Sequence, residues 1–334
     1  MNPMPSRLPR RGPAPSPPRG SAAGSGTRVT LLGPQRLQPT LSPALESLGV
    51  DGPVATITAG WQERESDDRE LHEHLGGRSL NLMLYQRAER VFARDPELSA
   101  AHQRRQARLR ELQDLYNVRL DHLMAAAYEL QRRPGETELL SQARVDAIEA
   151  IRSLDAQHLQ RVRDVHTEYD RRWQPDERET VIRERREVEA MVRDAPAVAV
   201  AGGHVAILLN RLRLFGLEQL AAGKVLVAWS AGAMAISERV VLFHDHPAHG
   251  MGNAEVLEVG LGFAPGIVPL PHARTRLRLE DRDRVGVFAA RFAPAICVPM
   301  NEGARLDATP QGWAPAPGTE QLQTDGRVGG AGAA

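Results

Sequence analysis

The stretch VLVAWSAGAMAI, residues 225–236, decides the fold that this sequence predicts. The apolar run from Val225 to Trp229 is typical of a buried strand, and the small residues after it permit a helix to begin at once. Ser230 lies at the junction, where a strand-to-helix turn favours small neighbours and exposes the hydroxyl as a nucleophile elbow does. Ala228 replaces the first glycine of the usual elbow pattern. The alternative is a tight turn whose serine caps the helix.

Short apolar runs and helical patterns alternate on both sides of this stretch. Strand-like runs occur at 29–33, 54–58, 198–201, 240–243, 267–270 and 296–298, and helix-like runs at 41–48, 204–215 and 284–292. Such alternation with short connections is typical of a parallel sheet covered by helices. We therefore predict an α/β fold, a flavodoxin-like parallel sheet with helices on both faces.

A long helical region interrupts this pattern. Apolar residues step by three or four from Leu109 to Leu130 and again from Leu140 to Tyr169, with Pro-Gly at 134–135 between the two stripes. The stripes predict an antiparallel helical hairpin with arms of about 50 Å. We interpret residues 80–193 as an insertion. Its apolar stripes pair as in a coiled coil, leave a surface for a second copy of the chain in a homodimer, or form a lid over the sheet.

These patterns divide the chain into five parts. Residues 1–27 are rich in Pro, Gly, Ser and Arg and predict a disordered tail, and the Gly/Ala-rich residues 311–334 predict a flexible one. The α/β domain is predicted in two pieces, 28–79 and 194–310, on either side of the insertion at 80–193. Because the first segment lacks the apolar core of a secretion signal, we expect a cytoplasmic protein.

Composition excludes several classes of function. Lys plus Arg number 42 and Asp plus Glu also 42, and a formal net charge of zero argues against a nucleic-acid partner. No run approaches the 18 apolar residues of a membrane span. Cys297 is the only cysteine, which excludes disulfides within the chain and multi-cysteine metal sites. The only lysine, Lys224, is followed by Val225, whereas a P-loop needs Ser or Thr there. We expect no cofactor.

Gly202 and Gly203 follow the strand-like run at 198–201. Glycines at the carboxyl end of a parallel strand let the backbone approach a ligand closely and expose its N–H groups. The alternative is an ordinary turn between a strand and a helix.

A histidine cluster offers a different chemistry. His244 and His246 would point to one face of a strand and, with Asp245 or His249, would supply ligands for zinc or another divalent ion, as in a metallohydrolase. Pro and Gly residues interrupt the segment, and we favour an exposed polar loop. We therefore predict no metal site.

Taken in order, the motifs resemble the dipeptidase E and cyanophycinase group of serine peptidases, which have the class I glutamine amidotransferase-like fold. The resemblance is carried by Gly202-Gly203, by WSAGA at 229–233, by Pro271-His272 and by Glu302-Gly303. The sequence TAGW at 58–61, followed by Asp67-Asp68, is similar to the loop after the second strand of that family. The resemblance covers the ranges 28–77 and 195–310.

The resemblance implies roles for several residues. Ser230 would be the nucleophile that forms an acyl-enzyme with a small peptide or amide, and His272 the general base. The family has an acidic residue between serine and histidine, a position that Asp245 occupies, and Glu302 matches another acidic position near the site. We take Asp245 as the residue that orients the histidine and keep Glu302 as the substitute.

The resemblance also implies how a substrate is held. The backbone N–H groups of Gly203 and Ala231 would form the oxyanion hole. Arg274, with Arg276 and Arg278 at alternate positions, would clamp a substrate carboxylate, although for at least two of the three we favour a solvated surface. We expect a serine hydrolase. The alternative is an inactive amidotransferase-like scaffold whose helical hairpin binds a partner or a second copy.

Overall fold

The computed structural model describes residues 26–245 and 252–332, in which a central sheet is flanked by helices. The strands are β1 (Arg28–Leu32), β2 (Val54–Ile57), β3 (Ser79–Asn81), β4 (Ala197–Val200), β5 (Val225–Trp229), β6 (Arg239–Leu242), β7 (Glu255–Val259), β8 (Ile267–Pro271), β9 (Ile296–Met300), β10 (Arg305–Thr309), β11 (Gly312–Pro315), β12 (Glu320–Leu322) and β13 (Val328–Gly330). The helices are α1 (Leu41–Ser47), α2 (Arg69–His74), α3 (Leu84–Arg94), α4 (Pro96–Arg132), α5 (Glu138–Trp173), α6 (Glu179–Val192), α7 (Val205–Leu214), α8 (Leu217–Ala221), α9 (Ala231–Ile236), α10 (Ala273–Arg276) and α11 (Arg282–Phe292).

The central sheet has seven strands in the order β11-β10-β1-β5-β4-β2-β3. Strands β1 to β5 are parallel, whereas β10 and β11 are antiparallel. Strands β4 and β5 are buried at every position, which explains their uninterrupted apolar sequences. The parallel strands therefore lie in the order 3-2-4-5-1, which differs from the 2-1-3-4-5 order of flavodoxin. The predicted α/β class with a largely parallel sheet is confirmed, but the flavodoxin-like order is not found among the described strands.

Three further strand pairs lie outside the central sheet. Strands β8 and β9 pair in parallel, while β6 pairs with β7, and β12 with β13, in antiparallel fashion. The strand-like runs at 240–243, 267–270 and 296–298 are thus strands, but they do not extend the central sheet. Hydrophobic patterning identifies a strand without identifying its partner.

Two predicted boundaries differ from the structure. Strand β3 pairs with β2, so the first piece of the sheet extends to Asn81 and not to residue 79. The segment from 311, predicted as a flexible tail, contains β11, β12 and β13. Its buried anchors are Leu322 and Trp313, whose Nε1 donates a hydrogen bond to the Pro265 carbonyl at 2.9 Å. These two apolar residues outweigh the Gly/Ala-rich composition. Of the predicted disordered tail, residues 1–25 lie outside the described part.

Helices α4 and α5 pack against each other and have 37 and 36 residues, which corresponds to about 55 Å each. Side-chain caps begin both helices, since Asp95 accepts a hydrogen bond from the Leu98 N–H and Thr137 accepts one from the Leu140 N–H. The shared face buries apolar residues of both helices: Tyr116, Leu120, Met124, Ala127, Ile151 and Leu154. Among the described helices, none combines the length and apolar character that crossing a bilayer requires.

A buried ion-pair network, called here the Arg291 network, joins helices α4 and α5 to α11. Arg291 donates two hydrogen bonds of 2.7 Å to Asp155, one of 2.7 Å to the Tyr116 hydroxyl and one of 2.6 Å to the Ala254 carbonyl. The Arg291 and Asp155 side chains are 1% and 4% exposed. Burial of charge is tolerated there because every strong hydrogen-bonding group of the pair has a partner.

The lysine lies at the start of β5, at the opposite end of this strand from Ser230. Lys224 Nζ donates hydrogen bonds to the carbonyls of Arg193 and Ala195, at 3.3 and 2.7 Å. The ammonium group thus ties the segment before β4 to the start of β5.

Candidate active site

The carboxyl ends of β1, β2, β4 and β5 form one edge of the central sheet because these strands are parallel. Ser230 follows β5 at this edge, and the Gly202-Gly203 pair follows β4. Val200 and Ala228 are paired in the ladder, so the two loops emerge from neighbouring strands. This is the edge at which open α/β sheets bind ligands.

Strand β10 brings a further loop, residues 301–304, to the same edge. The last residue of β1, Leu32, pairs with Arg305 at the start of the antiparallel β10. Leu32 also pairs with Trp229, which directly precedes Ser230. Glu302 lies in this loop, and the loop therefore lies two strands away from the serine.

His272 is attached to that loop by two hydrogen bonds. Its backbone N–H donates to the Met300 carbonyl at 3.2 Å, as a continuation of the parallel pair β8 and β9. Two residues later, the Arg274 N–H donates to Asn301 Oδ1 at 3.0 Å. Ser230 and His272 thus lie at the same edge of the sheet.

The backbone at Ser230 has the geometry of a strained elbow. Its φ of 52° and ψ of −125° lie outside the usual regions for a residue with a side chain. Ser230 precedes α9 but makes no side-chain capping bond to it. Among the described residues its hydroxyl has no hydrogen-bond partner. The structure therefore does not contain the capping bond of the alternative interpretation.

The glycine pair contacts this elbow directly. A Cβ atom added at Gly202 would lie 2.7 Å from Ser230 Cβ and 3.5 Å from its Oγ, so only glycine permits the observed approach. Gly203 has a φ of +113°, which also favours glycine. The His204 N–H donates to the Gly60 carbonyl at 2.8 Å, which ties the glycine pair to the TAGW loop after β2. The two loops are therefore adjacent.

His272 has a half-buried imidazole at a residue with a φ of 58°. Burial lowers the pKa of His272 from the ordinary 6.5, the positive charge of Arg276 lowers it further, and the negative charge of Glu302 opposes both. The ring is therefore neutral at pH 7 and able to accept a proton. In the described part of the chain, no hydrogen bond joins it to Ser230 Oγ.

The two candidate carboxylates have different surroundings. Asp245 is buried and forms an ion pair with the Arg284 guanidinium, and its Oδ2 also accepts the Arg278 N–H at 3.0 Å. Glu302 lies beside the residues that hold His272 and is the carboxylate whose charge acts on that imidazole. Asp245, which the sequence analysis preferred as the residue that orients the histidine, is thus engaged by an arginine. Glu302 is the carboxylate that interacts electrostatically with His272.

The three arginines after His272 also differ. Arg274 forms an exposed ion pair with Glu320 at 3.2 Å, whereas the charge of Arg276 acts on the His272 imidazole.

The sequence analysis did not single out Asn301. This residue is buried, accepts a hydrogen bond from the Arg274 N–H, and has an Nδ2 without a partner among the described residues. Its position directly before Glu302 was the available signal.

The histidine cluster is only partly described. His246 and His249 lie outside the described residues, and Asp245 is engaged by Arg284. Within the described ranges, no group of three or more His, Cys, Asp or Glu side chains is arranged to hold a metal ion.

One family model matches part of the chain. Residues 149–309 match the model of peptidase family S51. This match confirms the resemblance to the dipeptidase E and cyanophycinase family and supports a peptidase. It begins inside α5, upstream of the second range of the resemblance at 195–310, and does not include the first range at 28–77. No curated protein matches the chain significantly.

Two solved structures are similar to the chain. One is a peptidase from an acI-B1 Actinobacterium, with 14% identity, 89% of this chain and 91% of the other covered, and a TM-score of 0.43. The other is a putative peptidase E protein from Listeria monocytogenes, with 19% identity, 39% and 63% covered, and a TM-score of 0.29. Both TM-scores are low, and the family match alone supports the assignment.

Proposed function

We propose that the chain is a serine hydrolase of the dipeptidase E and cyanophycinase type that cleaves small peptides or amides. Ser230 Oγ attacks the carbonyl carbon, His272 accepts the serine proton and returns it to the leaving amine, and water hydrolyses the acyl-enzyme. The proposal rests on one observation: the strained serine, packed against Gly202, lies at the sheet edge that also holds His272 and Glu302.

The transition-state oxyanion is assigned to backbone donors. Gly202 touches Ser230, and the N–H groups of Gly203 and Ala231 flank the serine on the loop after β4 and on the elbow itself. Donors fixed by the backbone lose little entropy when charge develops on the carbonyl oxygen, and each contributes on the order of 3 kcal/mol to transition-state stability.

We assign the orienting role to Glu302 rather than Asp245. A carboxylate stabilises the imidazolium that forms during the reaction, and the charge of Glu302 already raises the pKa of His272. Asp245 is neutralised by Arg284. The serine, histidine and glutamate need no hydrogen bonds before substrate arrives, because catalytic hydrogen bonds often tighten only in the substrate complex.

A fluorophosphonate probe tests nucleophilicity without knowledge of the substrate. We expect labelling of the wild type and a loss of at least about 10³-fold in labelling rate in Ser230→Ala. Ser141→Ala, at an exposed serine of α5, is the matched control and should label normally. EDTA should leave labelling unchanged. Absence of labelling in the folded wild type would contradict the proposal and favour the scaffold alternative.

A further inference from the structure

A cavity of about 810 Å³ lies between the helical pair and the α/β domain. Its wall comes from α4, α5, the carboxyl end of α7 and the end of β7. Ser230, His272 and Glu302 do not line it. Helix α7 begins just after Gly203 at the catalytic edge, and its last residues line the cavity, about 15 Å further along the helix. The cavity is therefore separate from the candidate active site.

Five arginines line this cavity: Arg105, Arg163, Arg171, Arg185 and Arg213. Arg163 and Arg171 are exposed, and Arg185 and Arg213 form ion pairs with Asp176 and Glu258, which leaves Arg105 of α4. It is largely buried, its guanidinium lies 4.0 Å from the centre of the Tyr169 ring, and its Nη2 donates to Asn210 Oδ1 at 3.0 Å. Among the described residues no carboxylate forms an ion pair with it, and its Nε is buried without a partner. Burial consequently lowers the pKa of Arg105. The charges of Asp170 and Glu258 oppose this effect without forming an ion pair, and a buried guanidinium with no paired anion is costly unless a ligand supplies one.

A second buried nitrogen without a partner among the described residues belongs to His166, another residue of the cavity wall. His166 Nε2 lies 2.8 Å from Arg213 Nη1 and 3.0 Å from each carboxylate oxygen of Glu258. Its other ring nitrogen, Nδ1, is buried and has no partner in the described part of the chain. Arg105 Nε and His166 Nδ1 are therefore buried polar atoms, in residues of the cavity wall, that have no partner among the described residues.

The rest of the lining restricts the ligand further. Much of the wall is apolar and is formed by Phe92, Leu212, Leu214, Leu217, Val259 and Leu261. The rim contains Asp170, Asp176 and Glu177, of which Asp176 pairs with Arg185. With Glu218, the exposed part of the lining has four carboxylates and two arginines, Arg163 and Arg171, so its negative excess opposes a doubly charged anion such as phosphate more than a singly charged one. The volume is that of a typical small-molecule site.

We propose that this cavity binds a small organic acid that has one carboxylate and an apolar body. The carboxylate pairs with the Arg105 guanidinium, while the apolar body contacts the leucines of α7 and α8. Because the wall includes both the helical pair and the α/β domain, the bound acid holds the two together. This proposal is independent of the hydrolytic function.

N-acetyl-L-leucine is the probe, N-acetyl-L-leucinamide its uncharged match, and inorganic phosphate the competing anion. The acid is titrated calorimetrically into the full-length Ser230→Ala protein, in which the candidate nucleophile is absent and hydrolysis is prevented. We expect one binding site per chain. We expect the amide and phosphate to bind at least tenfold more weakly than the acid. Equal binding of acid and amide, tighter binding of phosphate, or no binding of the acid would overturn the proposal.

Variants locate the site. Arg105→Gln should weaken binding of the acid at least tenfold and Arg105→Lys should weaken it less, whereas Arg110→Gln, at an exposed arginine of the same helix, should leave it unchanged. Wild-type affinity in Arg105→Gln would overturn the assignment. If that variant does not fold, the site is located by comparing hydrogen exchange of the Ser230→Ala protein with and without the acid. The acid should protect residues 101–109 and 163–171, and protection confined to the loops at 230 and 272 would contradict the proposal.

Discussion

Polar groups are hydrogen-bonded very differently in the Arg291 network and at the edge of the central sheet that holds Ser230 and His272. In the network, Arg291 donates four hydrogen bonds to oxygen atoms of three residues, and almost no solvent reaches it. At the edge, the Ser230 hydroxyl and the His272 imidazole have no hydrogen bond to each other in the described structure. The network lies among α4, α5 and α11, and the strands that α11 contacts, β9 and β12, are outside the central sheet.

The difference separates stability from reactivity. A fully paired ion network fixes one arrangement of helices, and removal of one partner leaves an uncompensated charge. Unpaired polar groups on a strained backbone cost stability but remain available to a substrate. The cavity around Arg105 resembles the edge in this respect, since it too keeps polar atoms without partners.

The largest effect on stability is expected from breaking the network. Arg291→Met leaves Asp155 buried and unpaired and should lower the free energy of unfolding by about 3–5 kcal/mol, measured by urea denaturation. The double variant Arg291→Met/Asp155→Leu should recover most of this loss, because it removes both charges.

An exposed ion pair supplies the control for this experiment. Arg108 and Glu168 lie 3.0 Å apart with side chains at least half exposed, so Arg108→Gln should change the free energy of unfolding by about 1 kcal/mol or less. Equal losses in Arg291→Met and Arg108→Gln would refute the contrast between the two regions.

A smaller effect, on reactivity, is expected from crowding the edge. In Gly202→Ala the new methyl group would meet Ser230 Cβ at 2.7 Å, so the elbow or the glycine loop must shift. We expect fluorophosphonate labelling to slow by about 10²-fold, as a misplacement of about 1 Å typically does. In Gly252→Ala nothing lies closer than 3.6 Å to the added atom, and labelling should not change. Wild-type labelling of Gly202→Ala would show that the close approach is irrelevant.

The smallest expected effect is a shift in pH dependence. Since His272 must be neutral to act as a base and its pKa is lowered, the labelling rate should fall on acidification only below pH 6.5. Arg276→Gln removes a charge that lowers this pKa and should move the midpoint upward, while Glu302→Gln should move it downward. Arg278→Gln serves as the control. Shifts of the same sign in the first two variants would exclude the proposed electrostatics.

The sequence predicted the local structure around the serine better than the pairing of strands. Val225 to Trp229 forms a strand because an uninterrupted apolar run suits a sheet buried on both faces, and the elbow follows from the small residues after it. Which strand lies beside β1 depends on contacts nearly 200 residues apart, and hydrophobic patterning does not contain that information. The strands after 311 were missed because few apolar residues anchor them.

The candidate site shows the same limit. The motifs placed Ser230, the glycine pair and His272 at strand ends, and parallel strands bring such ends together. The choice between Asp245 and Glu302 could not be made from spacing, because it depends on the position of Arg284, 39 residues beyond Asp245, and on the hydrogen bonds that join His272 to the loop before β10. Folded geometry decides which carboxylate remains free.

The lone lysine has a practical consequence. Amine-reactive dyes couple to lysine side chains and leave arginines unmodified, so the whole chain presents a single side-chain amine for such chemistry. Because Lys224 lies at the far end of β5 from Ser230, a fluorophore attached there would sit away from the reactive edge. With a second fluorophore attached to Ser230 through a phosphonate, energy transfer between the two dyes would report the distance between the two ends of β5.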